Sequence, residues 1–262
     1  MAQGLLGGCL TRWTMKTTVL YVPVNTTSYA DATNSVIKWA SARQSRYTCV
    51  ANVHMLMEAF DSPVFRQIVA SADLVTPDGM PLVWMMRMKG VQNQQRVYGP
   101  TLMLCILEAA AREGIPIGFY GGKPHVLDSL TWRMQMQYPN LNVAYSFSPP
   151  FRAATPAEDE STVDEINESG ARILFVGLGC PKQEIWMAGH RGKVKAVMLG
   201  VGAAFDFHAG ILLQAPALMQ KLGLEWLFRF FSEPRRLWRR YLFHNPRFLV
   251  VATADLLGLL KE

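Results

Sequence analysis

Short β-branched and aromatic runs alternate with longer stretches of helical spacing over most of this chain. Thr17–Val22, Tyr47–Ala51, Asp73–Thr76, Pro116–Tyr120, Asn142–Ser146, Arg172–Val176 and Lys195–Leu199 read as strands. Between them, Tyr29–Arg43, Met55–Val69 (interrupted near Pro63), Met80–Met88, Thr101–Arg112 and Pro124–Tyr138 place apolar residues on one helical face. A helix begins near Glu158 after a Pro- and Ala-rich loop, and another opens at Pro181. Gly200–Gly210 reads as loop. Strands and helices alternating at this spacing predict an α/β fold, Rossmann-like, with a largely parallel, doubly wound sheet.

The pattern changes after residue 210. No strand is expected there, only a helical C-terminal appendage. Ala217–Phe231 is one helix. Glu233 precedes Pro234 and is pushed off helical angles, so the chain breaks. Ser232 is placed to cap a second helix, Pro234–Phe243, and Asn245-Pro246 to start a third. The expected organisation is therefore a catalytic α/β domain over residues 1–210 and a helical appendage over 211–262.

Half of the 262 residues are hydrophobic and 18% are charged, which allows a sizeable core. Cys9, Cys49, Cys105 and Cys180 form no C-x-x-C pair, which suits a reducing cytoplasm rather than a disulfide framework. Leu5–Leu10 is too short for a secretory leader and no basic residue precedes it. No apolar run is long enough to predict a bilayer-spanning helix. The net charge of +6 is uneven: from residue 211 onward eight basic residues face four acidic ones. That imbalance points the appendage toward an anionic partner. Arg229, Arg236, Arg239 and Arg240 are interleaved with Trp226, Phe230, Trp238 and Tyr241, a mixture suited to phosphate at a membrane interface. Nucleic acid would also accept arginine with aromatics.

Candidate chemistry gathers at the ends of strands. Pro77-Asp78-Gly79 is a turn between a strand and a helix, and it leaves one carboxylate at the helix mouth beside a glycine. By itself it is only a turn. Gly121-Gly122, Gly177-Leu-Gly179 and Gly200-Val-Gly202 all follow strands, which places them at the ligand edge of an open sheet. None has dinucleotide or P-loop spacing, so hydride transfer and nucleotide hydrolysis are disfavoured. Lys182 and Gln183 open a helix, where Lys182 can meet a phosphate and Gln183 a hydroxyl or amide. A capped helix with solvated ends explains them equally well. His54, His125, His190, His208 and His244 show no paired spacing and no D-x-D occurs, so no metal site is expected.

Ala72–Gly79, Arg96-Val-Tyr-Gly99, Phe119–Gly122, Phe175–Trp186, Gly200–Asp206, Gly223-Leu-Glu-Trp226 and Glu233–Tyr241 together resemble the bacterial WecG/TagA/CpsF glycosyltransferases. The resemblance implies a metal-independent, inverting transfer from a UDP-sugar to a polyprenyl-diphosphate-linked sugar, at the cytoplasmic face of the membrane. The implied enzyme is a cytoplasmic, peripheral one of cell-surface polysaccharide or teichoic-acid-like polymer synthesis, with no cofactor. An N-acetylmannosamine-type donor is implied, with UDP-glucose or a UDP-uronic acid as alternatives. Asp78 falls on the family's general base, while Asn52, Arg96, Gln183 and the tail arginines Arg229, Arg236 and Arg239 match its other proposed site positions. The family's T-x-N reads Val50-Ala-Asn52 here, so a threonine hydroxyl is lost, with Thr48 or Thr76 as candidate replacements. The family's K-R-A-P reads Leu213-Gln-Ala-Pro216, without its two cations. Nucleic acid is not the expected partner, because an RNA-docking module would leave the Asp78 turn and the Pro-Lys-Gln-Glu loop without a task. Apolar surface exposed before the tail docks would favour self-association into a homo-oligomer.

Overall fold

The computed structural model describes residues 15–260; Leu5–Leu10 and Cys9 lie outside them, as do the side chains of Arg236, Arg239 and Arg240. At its centre is a six-stranded, all-parallel sheet. Its strands are β3 (Arg46–Ala51), β4 (Leu74–Pro77), β5 (Ile117–Gly121), β6 (Val143–Phe147), β7 (Ile173–Gly177) and β8 (Val197–Gly200). Their order is β4-β3-β8-β7-β5-β6.

Alternation along the strands builds a core on each face. Ile117, Phe119, Ile173, Phe175, Val197 and Leu199 point into one cluster, shared with α1 (Tyr29–Ser41), α5 (Gly99–Glu113) and α6 (Pro124–Gln137). Tyr47, Cys49, Leu174, Val176 and Met198 point into the other. That second cluster takes in α2 (Val53–Asp61), α3 (Pro63–Ala70), α4 (Met80–Met88) and α8 (Lys182–His190). The α/β expectation is met. Helix α7 (Pro156–Glu168) starts slightly earlier than expected, with Thr155 and Glu158 forming a capping box.

The first predicted strand is corrected. Thr17–Val22 is not one strand but parts of β1 (Lys16–Val19) and β2 (Val22–Asn25), an antiparallel hairpin outside the main sheet. Leu20 and Tyr21 form its two-residue turn at φ 47° and 65°. Neither is a usual turn residue, so composition gives no turn signal. Burial of Leu20 in the second core cluster holds the turn. The expected loop after β8 also contains a short helix, α9 (Ala204–His208).

The tail keeps three helices but divides them differently. The first predicted helix is split into α10 (Ala217–Lys221) and α11 (Glu225–Ser232). The break at Glu233 occurs as expected, at φ −134° and ψ 58°. Ser232 does not cap the next helix; its hydroxyl donates to the Phe228 carbonyl. Asn245 does not start a third helix either. Helix α12 runs unbroken over Pro234–Leu256, with Pro246 inside it. Pro246 and Leu242, whose carbonyl the proline leaves without a helical donor, are both exposed, so water can satisfy that oxygen. Phe248 and Ala252 on α12 join the second core cluster. Lys89 Nζ to Asp255 Oδ1 at 2.8 Å and an Arg247–Asp61 ion pair add polar anchors between α12 and the body of the protein.

Where β5 and β7 end, their backbones touch. Gly121 has φ +113°, and a Cβ there would lie 2.7 Å from the Gly177 carbonyl carbon. A Cβ on Gly177 would in turn lie 2.5 Å from the Phe205 ring. Gly121→Ala is therefore expected to lower folding stability by about 1–3 kcal/mol, read from the urea-denaturation midpoint at unchanged m-value.

Candidate functional site

Parallel pairing places the ends of neighbouring strands side by side. β3 runs into Asn52, β4 into Asp78 and β8 into the Val201-Gly202 loop. Asn52 is the N-cap of α2, where its Oδ1 accepts from the Met55 N–H at 3.2 Å. Asp78 is fixed at its backbone, its N–H donating to the Ala51 carbonyl at 2.8 Å.

The side chain of Asp78 is largely buried beside Arg96. Arg96 Nε donates to the Asp78 carbonyl oxygen, and Nη2 reaches Asp78 Oδ1 at 3.2 Å. The same Nη2 donates to Glu225 Oε2 at 2.7 Å. Glu225 comes from α11, so the appendage delivers a second carboxylate to this centre. The Tyr98 hydroxyl donates to Glu225 Oε1 at 3.1 Å, and the Arg96 guanidinium lies 4.1 Å from the centroid of the Tyr98 ring.

These contacts set the protonation states. Burial pushes the Asp78 carboxyl up from 3.8 to about 6; Arg96 opposes the rise and Glu225 adds to it. Burial disfavours the charge on Arg96, but the two carboxylates beside it outweigh that and push its pKa up. Burial and Glu225 push the Tyr98 phenol well above its ordinary value, which keeps it a donor. Because the folded pKa of Asp78 exceeds the ordinary 3.8, its ionisation costs folding stability as pH rises through the window from 3.8 to about 6.

Two clefts meet at this centre. The larger, about 310 Å³, is lined by Trp84, Leu222, Trp226, Tyr241, Phe248 and other residues of α4 and the tail. The smaller, about 120 Å³, is lined by Val50, Gly179, Gln183, Gly200 and Gly202 among others. Asn52, Asp78, Glu225 and Arg229 line both. Arg229 lies 3.8 Å from Glu233 and over the Phe207 ring.

Most of the residues singled out by sequence converge here: Asn52, Asp78, Gly79, Arg96, Gly179, Gln183, Gly202 and Arg229 all line one cleft or both. Gln183 is buried; its Oε1 accepts from the Gly179 N–H at 3.1 Å and its Nε2 donates to Glu184 Oε1 at 2.7 Å. Gly122 and Gly177 line neither cleft. They hydrogen-bond to each other and pack on Phe205. Lys182 is exposed and lines neither cleft. Arg236, Arg239 and Arg240 fall on the first turns of α12, and their side chains lie outside the described residues.

Thr48 and Thr76 are fully buried and line neither cleft, so neither replaces the hydroxyl lost at Val50. Val50 pairs with Thr76 across the sheet, and the Cβ that Gly99 lacks would lie 3.1 Å from its Cγ1. The smaller cleft is apolar at that point. Sequence reasoning also gave no role to Glu225 or Tyr98. The available signal was their place in two of the motifs that carry the resemblance, Gly223-Leu-Glu-Trp226 and Arg96-Val-Tyr-Gly99.

A buried carboxylate, an arginine and glycine loops thus gather at the carboxyl edge of a parallel α/β sheet, the edge where such sheets bind ligands. A family model described as Glycosyl transferase WecG/TagA/CpsF family matches residues 17–262. The chain belongs to this family and is a glycosyltransferase, acting on a sugar donor and an acceptor.

The Asp78 carboxyl is expected to titrate near pH 6 in NMR spectra of carboxyl-labelled protein, with Asp78→Asn assigning the signal. Glu225→Gln removes a neighbouring negative charge, so it should move that midpoint to lower pH.

Proposed function

We propose that the enzyme transfers a sugar from a UDP-sugar to a polyprenyl-diphosphate-linked sugar, with inversion, and that Asp78 is the general base. The observation that carries this reading is the position of Asp78 at the junction of the two clefts, against Arg96 and Glu225. Asp78 takes the proton from the acceptor hydroxyl. The acceptor oxygen then forms a bond to the anomeric carbon as the bond from that carbon to the UDP oxygen breaks. UDP leaves with the electron pair. A pKa of about 6 suits this task, since the carboxylate is mostly ionised at neutral pH yet still basic enough to share a proton.

The smaller, glycine-bearing cleft suits the donor. Backbone N–H groups at its loops and Gln183 offer donors to a nucleotide-sugar, and Arg229 can offset the charge of departing UDP. The larger cleft suits the acceptor, since apolar walls from Trp84, Leu222 and Phe248 match a prenyl chain, while Arg96 and Arg229 match its diphosphate. Arg236, Arg239 and Arg240, on the first turns of α12, add further positive charge to the same segment and are the other proposed diphosphate contacts, following the family resemblance. N-acetylmannosamine is the favoured donor sugar, following the family resemblance.

The tail supports a membrane-surface location, and the inner face is the one that the family resemblance implies. Among the described residues no helix is long and apolar enough to cross a membrane. The tail nevertheless exposes Phe231, Trp238, Leu242, Phe243, Leu249 and Val250 alongside its arginines. Such a surface suits shallow insertion among anionic headgroups. Residues 211–262 would then act as the acceptor- and membrane-facing unit of the catalytic domain.

Asp78→Asn is expected to keep or raise the thermal midpoint and preserve UDP-sugar binding while reducing UDP release on a short-chain diphosphate-linked acceptor by at least about 10³-fold. Turnover near the wild-type rate would remove Asp78 from the role of base. Arg229→Ala should lower kcat/KM by about 10–100-fold, since it removes a charge-assisted contact to phosphate. Steady-state kinetics with both substrates varied would measure it.

A further inference from the structure

The fold brings together two histidines that are remote in sequence. His54 and Glu58 are four residues apart on α2, so they share one face of that helix. His244 comes from α12. The His54 and His244 rings are 5.3 Å apart in an edge arrangement, and His54 Nδ1 lies 3.7 Å from Glu58 Oε1. One ligand atom from each of His54, Glu58 and His244 falls within 4.8 Å of the others. All three side chains are half-buried.

We propose that His54, Glu58 and His244 form a binding site for a zinc-class divalent cation, which clamps the tail helix α12 to α2. Two imidazoles and one carboxylate are a donor set characteristic of zinc, whereas magnesium and calcium favour oxygen ligands alone. Tetrahedral zinc with bonds of about 2.0–2.2 Å holds its ligand atoms about 3.4 Å apart. Rotation of Glu58, whose side chain is 34% exposed, together with small turns of the two rings, closes the present spacing. Three protein ligands leave a fourth position for water.

The frame around these groups is fixed by other contacts. One turn beyond Glu58 and one turn beyond His244, Asp61 pairs with Arg247, Nη1 to Oδ2 at 2.6 Å. Phe248 is buried in the core cluster that also contains Met55, Leu56 and Met57 of α2. The ligands on the two helices are thus presented to each other by packing rather than by the ion. His54 and His244 both line the larger cleft, and His54 follows the N-cap Asn52 by two residues. A bound cation therefore stiffens the wall of that cleft. Its ligands are other residues than Asp78, Arg96 and Glu225, with which His54 and His244 share the larger cleft, and its role is to hold the tail in place, not to perform the transfer.

Calorimetric titration of chelator-treated, full-length protein with Zn²⁺ tests the site. One ion per chain with a dissociation constant of about 10 μM or tighter is expected, and a rise of several degrees in the thermal midpoint at saturating Zn²⁺. His244→Ala and Glu58→Gln should each weaken binding at least about tenfold and remove the thermal shift. Glu58→Gln guards against misfolding, because its metal-free thermal midpoint should match the wild type. Co²⁺ bound at the site should give d–d bands without thiolate charge transfer. No binding at about 100 μM Zn²⁺ would overturn the proposal. So would binding that both substitutions leave unchanged, or a thiolate band that moves the ion to the cysteines.

Discussion

The site depends on one arginine shared by two carboxylates. Arg96 Nη2 contacts both Asp78 and Glu225, and the three groups are largely shielded from water. With both acids ionised the cluster would carry a net negative charge in a poorly solvated place. Holding a proton relieves that cost, and burial beside Glu225 pushes the Asp78 carboxyl up to about 6. Geometry separates their roles. Glu225 has the shorter contact to Arg96 and a second donor in Tyr98. Asp78 has the longer side-chain contact to Arg96, at 3.2 Å, although both acids line both clefts. One acid is occupied with structure and the other is left available for chemistry.

This division joins the tail to the α/β body electrostatically. Glu225 belongs to α11, whereas its partners precede α5. Displacing the tail would remove one acid and allow Arg96 to pair fully with Asp78, which lowers the basicity of Asp78. The tail therefore tunes the site as well as covering it. Two of its arginines are paired, Arg229 with Glu233 and Arg247 with Asp61.

Much of this was legible in the sequence, and the failures have physical causes. The strands of the parallel sheet are continuous apolar runs such as Ile173–Val176, because both faces are covered. The Asp78 turn by itself was only a turn; Asn52 and Asp78 stood out through the family resemblance carried by Val50-Ala-Asn52 and Ala72–Gly79. The β1–β2 hairpin was missed because its turn is made by Leu20 and Tyr21, whose positive φ angles are held by tertiary burial rather than by residue type. Helix α12 was divided after Phe243 because Asn245-Pro246 reads as an N-cap followed by proline at a first helical position; here the helix continues through it, with Pro246 on an exposed face. Gly122 and Gly177 read as ligand loops because glycine marks any close approach; here the approach is by another backbone and a ring. Glu225, and the meeting of His54 with His244, are long-range facts that no local window contains.

The strand order has a kinetic meaning as well. β3 lies between β4, which follows it closely, and β8, which comes after β5, β6 and β7. The seam between β3 and β8 closes a loop of most of the α/β body, and such distant pairings form slowly. Asn52 and the Gly200–Gly202 loop extend from the two sides of that seam. Until β8 is inserted, β3 presents an open edge with nothing to shape the smaller cleft. A chain stalled before β8 would therefore expose a sticky strand edge beside Asn52, where the smaller cleft has yet to take shape.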